Sequence, residues 1–316
     1  MPPKRENCTL ILISLCSPLQ ARLPTALALG SFDGLHAGHR SVIKTITSNT
    51  TAVPTVVSFW PHPREVLYGE SKLRLYLPSE KALLLEHLGV KQLVLVPFDL
   101  SLASLSADEF FHEILIKNLQ AKQISVGANF RFGKNREGDS DKLIELGEKA
   151  NIKVRVLEII EDNQGRMSSS RIREALKDGD IKLTNSLLGR AYSFGGKVVP
   201  GKGIGRKLGW PTANLEIDGS KLLPGQGVYA VMTRASDEKS FSPAIMNLGP
   251  QPTINPHAPS ATEVHVLNKQ VNLKGKDLIV EPVERIRTQK KFTTLKDLSN
   301  QIELDARKAI SILTQR

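Results

Sequence analysis

The feature that most constrains the fold of this chain is an alternation in its first half. Apolar runs at 25–29, 55–59, 92–98, 123–127 and 153–159 are separated by helix-like stretches at 39–46, 79–88, 107–119 and 139–150. Apolar runs this short read as buried strands, and Leu83, Leu84 and Leu88 fall at helical spacing. Ser79 is placed to cap its helix. Strands that alternate with helices in this way pack as a parallel sheet with helices on both faces. Ligands of such sheets bind beyond the carboxyl ends of the strands.

The texture then changes. Stretches 170–177 and 181–188 read as two more helices, separated by Asp178-Gly179-Asp180. After Gly189, glycine and proline become frequent and the strand-like runs are short: 196–199, 228–232, 244–248, 264–267 and 278–283. No helix is expected among them before about Thr294. This pattern predicts a small all-β barrel closed by a C-terminal helix. Leu295, Leu298, Ile302, Asp305 and Ala309 follow a 3-4-3-4 spacing that gives the last helix one mostly apolar face. A length of 316 residues accommodates two cores, at roughly 100–200 residues per domain. The boundary is placed near Ser186, giving domains 1–185 and 186–316.

Charge and cysteine content narrow the function classes. The net charge is +11 without a block of consecutive basic residues, which suits anionic small molecules and argues against a nucleic-acid-binding tail. Few aromatics and the absence of an RNA-recognition signature point the same way. The two cysteines, Cys8 and Cys16, offer neither a metal spacing nor a disulfide framework, so a cytoplasmic location is expected. The apolar stretch from Leu10 to Leu15 is short, interrupted by Ser14 and followed by no convincing cleavage site. No run approaches the roughly 20 apolar residues of a membrane span, so no membrane partner is expected.

Two segments carry chemistry. The first, Gly30-Ser31-Phe32-Asp33-Gly34-Leu35-His36-Ala37-Gly38-His39, follows the first strand. Gly30 and Gly34 permit turns and close backbone approach to a ligand. A helix beginning near Gly38 aims free amides at an anion. His36 and His39 can donate to phosphate oxygens as charge shifts in a transition state. A metal site would need a third ligand, and only Asp33 stands near. Further along, Ser168-Ser169-Ser170-Arg171 combines hydroxyls, a helix N-terminus and a forked donor. Read alone it is a helix cap with a surface arginine, and beside the histidine motif it is a second phosphate clamp. Asn129 could bond a base, ribose or flavin, or could simply occupy a turn before Gly133.

The second segment runs from Gly201 to Asn214. Gly201, Gly203, Gly205 and Gly209 punctuate a stretch containing Lys202, Arg206 and Lys207, a backbone suited to a triphosphate. It lacks the Walker A spacing. In Pro211-Thr212-Ala213-Asn214, Thr212 and Asn214 face the same side of an extended chain, where a hydroxyl and an amide oxygen can reach Mg²⁺ carried by ATP. An Asn/Thr turn after a proline is the plainer alternative. In Ala261-Thr262-Glu263-Val264-His265-Val266, the valines point into the core, so Glu263 and His265 share the other face. A carboxylate there can take the proton of an attacking hydroxyl. Taken alone it reads as a solvated edge, and His265 is read as structural.

The first motif resembles the nucleotidyltransferase superfamily, and its long form resembles the bacterial bifunctional riboflavin kinase/FAD synthetases. Val126-Gly127-Ala128-Asn129-Phe130-Arg131-Phe132-Gly133, Met167 to Arg173, and Pro211-Thr212-Ala213-Asn214 are similar to further segments of that family, as are Leu223 to Tyr229 and Asn247 to Thr253. The resemblance runs from about Thr25 to the last helix. It implies a Rossmann-like α/β nucleotidyltransferase domain and a riboflavin kinase barrel. It also implies ATP and Mg²⁺, with riboflavin, FMN and FAD as the other partners. Glu263, His36 and His39 are then catalytic. Gly30, Phe32, Asp33, Gly34, Asn129, Ser169, Arg171, Gly201, Gly203 and Lys207 bind nucleotide, and Thr212 and Asn214 bind the metal. Two positions depart from the pattern: Trp60 stands where the family has an acidic residue, and Lys274 where a tyrosine is common. A nucleotidyltransferase for another acceptor, such as phosphopantetheine, fits the first motif as well, but it leaves Thr212 and Asn214 unexplained.

Overall fold

A computed structural model describes residues 14–48, 50–70, 73–201, 203–207, 209–249, 261–269 and 271–315. Compactness divides the chain into a unit ending at Met167 and a unit beginning at Ser168.

The first unit is the expected α/β layer. Its strands are β1 (Ser14–Cys16), β2 (Thr25–Leu29), β3 (Val53–Trp60), β4 (Gln92–Pro97), β5 (Ala121–Gly127) and β6 (Lys153–Leu157). They form one parallel sheet in the order β1-β4-β3-β2-β5-β6. Helices α1 (Ala37–Thr47), α2 (Pro63–Tyr68), α3 (Pro78–Glu86), α4 (Leu100–Ser104), α5 (Ala107–Glu109) and α6 (Ser140–Lys149) connect them. Past Glu109, α5 widens into a π-helical stretch over Phe110–Asn118, visible where Leu119 N bonds Ile114 O at 3.2 Å. Two apolar clusters flank the sheet: Phe111, Leu115 and Ile124 belong to one, and Val42, Ile43 and Leu85 to the other.

The connections leave β2 toward β3 on one side and return to β5 on the other. That places the topological switch at the carboxyl end of β2, where the first motif begins. Two expectations need correction here. Residues 153–159 were expected as a buried strand, yet β6 is the sheet edge and exposes Lys153 and Arg155. Ser79 does not cap α3: Leu77 holds the cap position, Pro78 opens the helix, and the Glu80 carboxylate accepts from Leu77 N at 2.8 Å. His62 stands at the N-cap of α2. A hairpin of β7 (Glu161–Asp162) and β8 (Gly165–Arg166) ends this unit.

The second unit opens with α7 (Ser169–Lys177) and α8 (Ile181–Leu188), capped by Ser168 and Asp180. The pair packs on the barrel that follows: Lys182 Nζ lies 2.6 Å from Glu284 Oε2, and Gly225 N donates to Leu176 O at 2.9 Å. The barrel strands are β9 (Phe194–Val199), β10 (Ala213–Glu216), β11 (Gly227–Ala235), β12 (Ser242–Gly249), β13 (Ala261–Val266) and β14 (Asp277–Arg287). They close antiparallel in the order β10-β13-β12-β11-β14-β9. One short helix, α9 (Ile204–Lys207), interrupts the stretch where none was expected. The final helix, α10 (Leu295–Thr314), packs Ala306 and Ala309 against Val228, Ala230, Ile245 and Ile286 on the outer barrel face. Its stripe starts later than the spacing suggests, since Leu295 is exposed. Asp305 is buried within it and bonded to Arg287 Nε at 2.8 Å.

Candidate active sites

The first motif is a strained loop pinned by its own apolar residues. Gly30 N bonds Val57 O at 3.2 Å, which ties the loop start to β3. Phe32 and Leu35 then take left-handed backbone conformations, with φ of 44° and 46°. Both side chains are buried in the α1–α3 core cluster, and that burial holds the unfavourable dihedrals. The buried Asp33 carboxylate accepts from Leu75 N at 3.3 Å and from Tyr76 N at 3.2 Å. Lys81, buried on α3, donates from Nζ to Ser31 O at 2.8 Å, and Ser58 Oγ donates to the same carbonyl at 3.3 Å.

This scaffold delivers the histidines. His36 is the N-cap residue of α1, and His39 lies in its first turn. Their rings stack at 3.8 Å, with the Phe32 ring edge-on to His39 at 5.3 Å. Two imidazoles and the start of a helix therefore meet at the carboxyl edge of the sheet. The helix start packs closely under the rings, since a Cβ on Gly38 would sit 3.2 Å from the His36 ring. Exposed Asn129 follows β5, the neighbour of β2, so it stands at the same edge. Arg131 pairs with Asp139 at 3.1 Å.

The loop after β3 is built differently. His62 caps α2: its Nδ1 accepts from Arg64 N at 3.2 Å, and its own N donates to Glu65 Oε2 at 2.8 Å. Glu65 also takes both guanidinium nitrogens of Arg74, at 2.5 and 3.0 Å. Arg74 in turn lies 4.2 Å over the Trp60 ring. Trp60 thus presents a π face to the arginine that Glu65 holds.

In the second unit, Ser169 and Arg171 lie in the first turn of α7, where Arg171 N donates to Ser168 Oγ at 3.3 Å. The glycine segment of this unit folds back onto β10. A Cβ on Gly201 would fall 2.0 Å from Asn214 Nδ2, and one on Gly205 would fall 2.3 Å from Trp210 O and 3.2 Å from Thr212 Oγ1. Only glycine allows the backbone to lie this close to the two oxygen-bearing side chains. Gly203 is exposed at φ 68°. Lys207 ends α9, while Lys202 lies outside the described residues, as does the family-like stretch from Pro250 to Thr253.

Thr212 and Asn214 share a side, as expected, with Ala213 and Leu215 buried between and beyond them. Asn214 sits directly opposite Glu263 in the β10–β13 register, and Glu263 directly opposite Asn247 of β12. Directly opposed residues on neighbouring strands project to the same face about 5 Å apart. Asn214, Glu263 and Asn247 therefore form a row across three strands, a neighbourhood that spacing alone did not reveal. Asn247 Oδ1 accepts from Gln289 Nε2 at 2.8 Å. Val264 and Val266 are buried, so Glu263 and His265 do share the opposite face.

The donor chemistry suits Mg²⁺ brought by a nucleotide. A hydroxyl and a carboxamide are hard oxygen donors, and Mg²⁺ takes the rest of its octahedron from phosphates and water. Among the described residues no group of three or more His, Cys, Asp or Glu side chains could hold a metal alone. No helix among them is long and apolar enough to cross a membrane.

Residues 19–171 match the family model for FAD synthetase, and residues 188–313 match the model for riboflavin kinase. A bifunctional riboflavin kinase/FMN adenylyltransferase of Haemophilus influenzae is 34% identical over 294 residues, covering 90% of this chain and 92% of the relative. The Bacillus subtilis protein of the same description is 35% identical over 295 residues, with the same coverages. A crystal structure from Streptococcus pneumoniae, described as a macrolide-efflux protein, superposes with a TM-score of 0.83 at 28% identity, covering 94% of this chain and 98% of that one. With both halves matched in this order, the chain belongs to the family of bacterial bifunctional riboflavin kinase/FMN adenylyltransferases.

Proposed function

We propose that the two activities of this family reside in two separate centres of the chain, one built on Thr212, Asn214 and Glu263 and the other on His36 and His39. The chain phosphorylates riboflavin to FMN and adenylylates FMN to FAD, using ATP in both steps. The observation that carries the first assignment is the register that sets Glu263 beside Asn214, with Gly201 and Gly205 pressed onto Asn214 and Thr212.

In the kinase centre, the glycine segment offers backbone amides to the triphosphate, flanked by Gly203 and Lys207. Thr212 and Asn214 would hold Mg²⁺, which when bound neutralises phosphate charge and orients the γ-phosphoryl group. The Glu263 carboxylate accepts the proton of the riboflavin 5′-hydroxyl as that oxygen bonds to the γ-phosphorus and ADP departs. In the adenylyltransferase centre, an FMN phosphate oxygen bonds to the α-phosphorus and pyrophosphate leaves. The nucleophile is already ionised, so this chain need only position and stabilise. His36 and His39 donate to the triphosphate, and the close backbone of Gly30 to Gly34 shapes its cradle. Buried Phe32 and Asp33 fix the loop. Asn129 addresses the flavin nucleotide, and the family resemblance gives Ser169 and Arg171, at the start of α7, a phosphate-binding role.

The functional division is placed near Ser186, within the gap between the matched segments, which end at 171 and begin at 188. Dependence on ATP, together with a sequence that carries only two cysteines, supports a cytoplasmic location.

Purified chain incubated with riboflavin, ATP and Mg²⁺ should yield FMN and then FAD by chromatography. Glu263→Gln should slow FMN formation by about 10²–10⁴-fold while FAD still forms from supplied FMN. His36→Ala should do the reverse, slowing adenylylation by about 10²–10³-fold. Loss of both activities from either change in folded protein would overturn the assignment to separate centres.

A further inference from the structure

We propose that His265 is a positioning residue of the kinase centre, latching the end of the glycine segment onto the strand that carries Glu263. This rests on the assignment of Thr212, Asn214 and Glu263 given above. The β10–β13 ladder pairs Asn214 with Glu263 and Ala213 with Val264, and Ala213 is the first residue of β10. Thr212 therefore lies one residue beyond the ladder. In the antiparallel register the residue facing that position is His265.

Where backbone pairing stops, the His265 side chain takes over. Its Nδ1 lies 2.7 Å from Pro211 O. A carbonyl can only accept, so Nδ1 carries the proton in this bond. Pro211 has no N–H of its own, which leaves this carbonyl as its one backbone hydrogen-bonding group. The ring also meets Trp210 edge-on at 5.2 Å. Trp210 N in turn bonds Gly205 O at 2.7 Å, and Gly205 is the residue packed against Thr212. One imidazole thus grips both residues immediately before Thr212, from a position two residues beyond Glu263 on the same strand face. The latch sets the distance between the metal-binding hydroxyl and the base.

The hydrogen bond and the ring contact can be separated. His265→Phe keeps a ring against Trp210 and removes the donor. His265→Asn removes the ring and keeps an N–H donor at the δ position. Steady-state riboflavin phosphorylation gives kcat and KM for MgATP, and FMN adenylylation by the same preparation reports that the chain is folded. The expected result is a five- to tenfold rise in KM for MgATP in His265→Phe, on the order of one lost hydrogen bond. His265→Asn should return it to within about twofold of the parent, with adenylylation unchanged in both. A His265→Phe KM within twofold of the parent, or a His265→Asn no better than His265→Phe, overturns the latch. Thr212→Ala and Glu263→Gln are measured in parallel. If they lose FMN formation while His265→Phe stays normal, only the latch fails. If they keep FMN formation, the centre lies elsewhere and the latch falls with it.

Discussion

The two loops proposed to handle phosphate are shaped with opposite materials. The loop after β2 is held by side chains: Phe32 and Leu35 anchor it in the core, Asp33 clamps Leu75 and Tyr76, and Lys81 and Ser58 hold the Ser31 carbonyl. The loop before β10 is shaped by their absence, with Gly201 and Gly205 lying against Asn214 and Thr212 where a Cβ would collide. A doubly wound sheet provides a deep edge into which a loop can sink apolar anchors. A small barrel has no such depth beside a strand end, so close backbone approach must serve. Truncating side chains should therefore damage the first loop, and adding atoms should damage the second.

The largest effect expected from this contrast is on stability. Phe32→Ala removes a fully buried ring and should cost about 3–5 kcal/mol. Urea titrations followed by the two activities separately would show adenylylation lost at lower denaturant, with the kinase midpoint little moved. Because Phe32 sits at φ 44°, Phe32→Gly should be no less stable than Phe32→Ala. Elsewhere glycine is usually the worse of the two by about 0.5–1 kcal/mol. If Phe32→Gly were the weaker variant by that margin, the strain account of this loop would be wrong.

Next comes the separation of packing from chemistry at the stacked histidines. His39→Phe keeps a ring against His36 and Phe32 but removes both nitrogens. Adenylylation should drop by about 10²–10³-fold with an unchanged unfolding midpoint. A rate within a few-fold of the parent would reduce His39 to a packing residue. A smaller effect is expected in the second loop from a single added methyl. Gly201→Ala pushes on the Asn214 carboxamide, whose nitrogen would lie 2.0 Å from the new carbon. FMN formation should fall by about 10–100-fold, the scale of a ligand displaced by roughly an ångström. The matching change in the first loop, Gly38→Ala, meets the His36 ring at 3.2 Å, and a small shift of that ring accommodates it. Equal losses from the two alanines would erase the distinction between the loops.

Much of this was legible before the fold. Among the described residues, alternating strand and helix periods located five of the six parallel strands and every long helix, and the barrel followed from short strands among glycines. β1, at the sheet edge, overlaps the apolar stretch from Leu10 to Leu15, which lies ahead of the strand–helix alternation. The helical spacing of the last helix was right about Ala309 and wrong about Leu295, because periodicity marks a face but not where the partner surface begins. Site residues divided by sequence distance. His36 and His39 are visible as one motif, and Thr212 and Asn214 as another. The row of Asn214, Glu263 and Asn247 exists only through strand register, which local pattern does not encode. Lys81 carries no signal at all, since its role depends on a carbonyl fifty positions away in the chain.

The smallest effect sharpens the barrel side. Tyr229 is fully buried and donates to Gly225 O, at the junction where α7 and α8 meet the barrel. Burial pushes its hydroxyl above the ordinary tyrosine range, with Arg285 pulling partly back. Since the folded-state pKa is raised, the unfolded chain ionises first. This group's contribution is complete below the unfolded pKa of about 10 and is lost as pH climbs toward the folded value. Tyr229→Phe removes the hydrogen bond, at a cost of about 1 kcal/mol near pH 8, and also removes the titration. The stability gap between parent and variant, measured by denaturant unfolding from pH 8 to pH 11, should therefore narrow as pH rises. The remaining tyrosines titrate equally in both proteins and cancel in the difference. A gap that stayed constant across that range would mean that the folded barrel lets Tyr229 ionise as readily as the unfolded chain does.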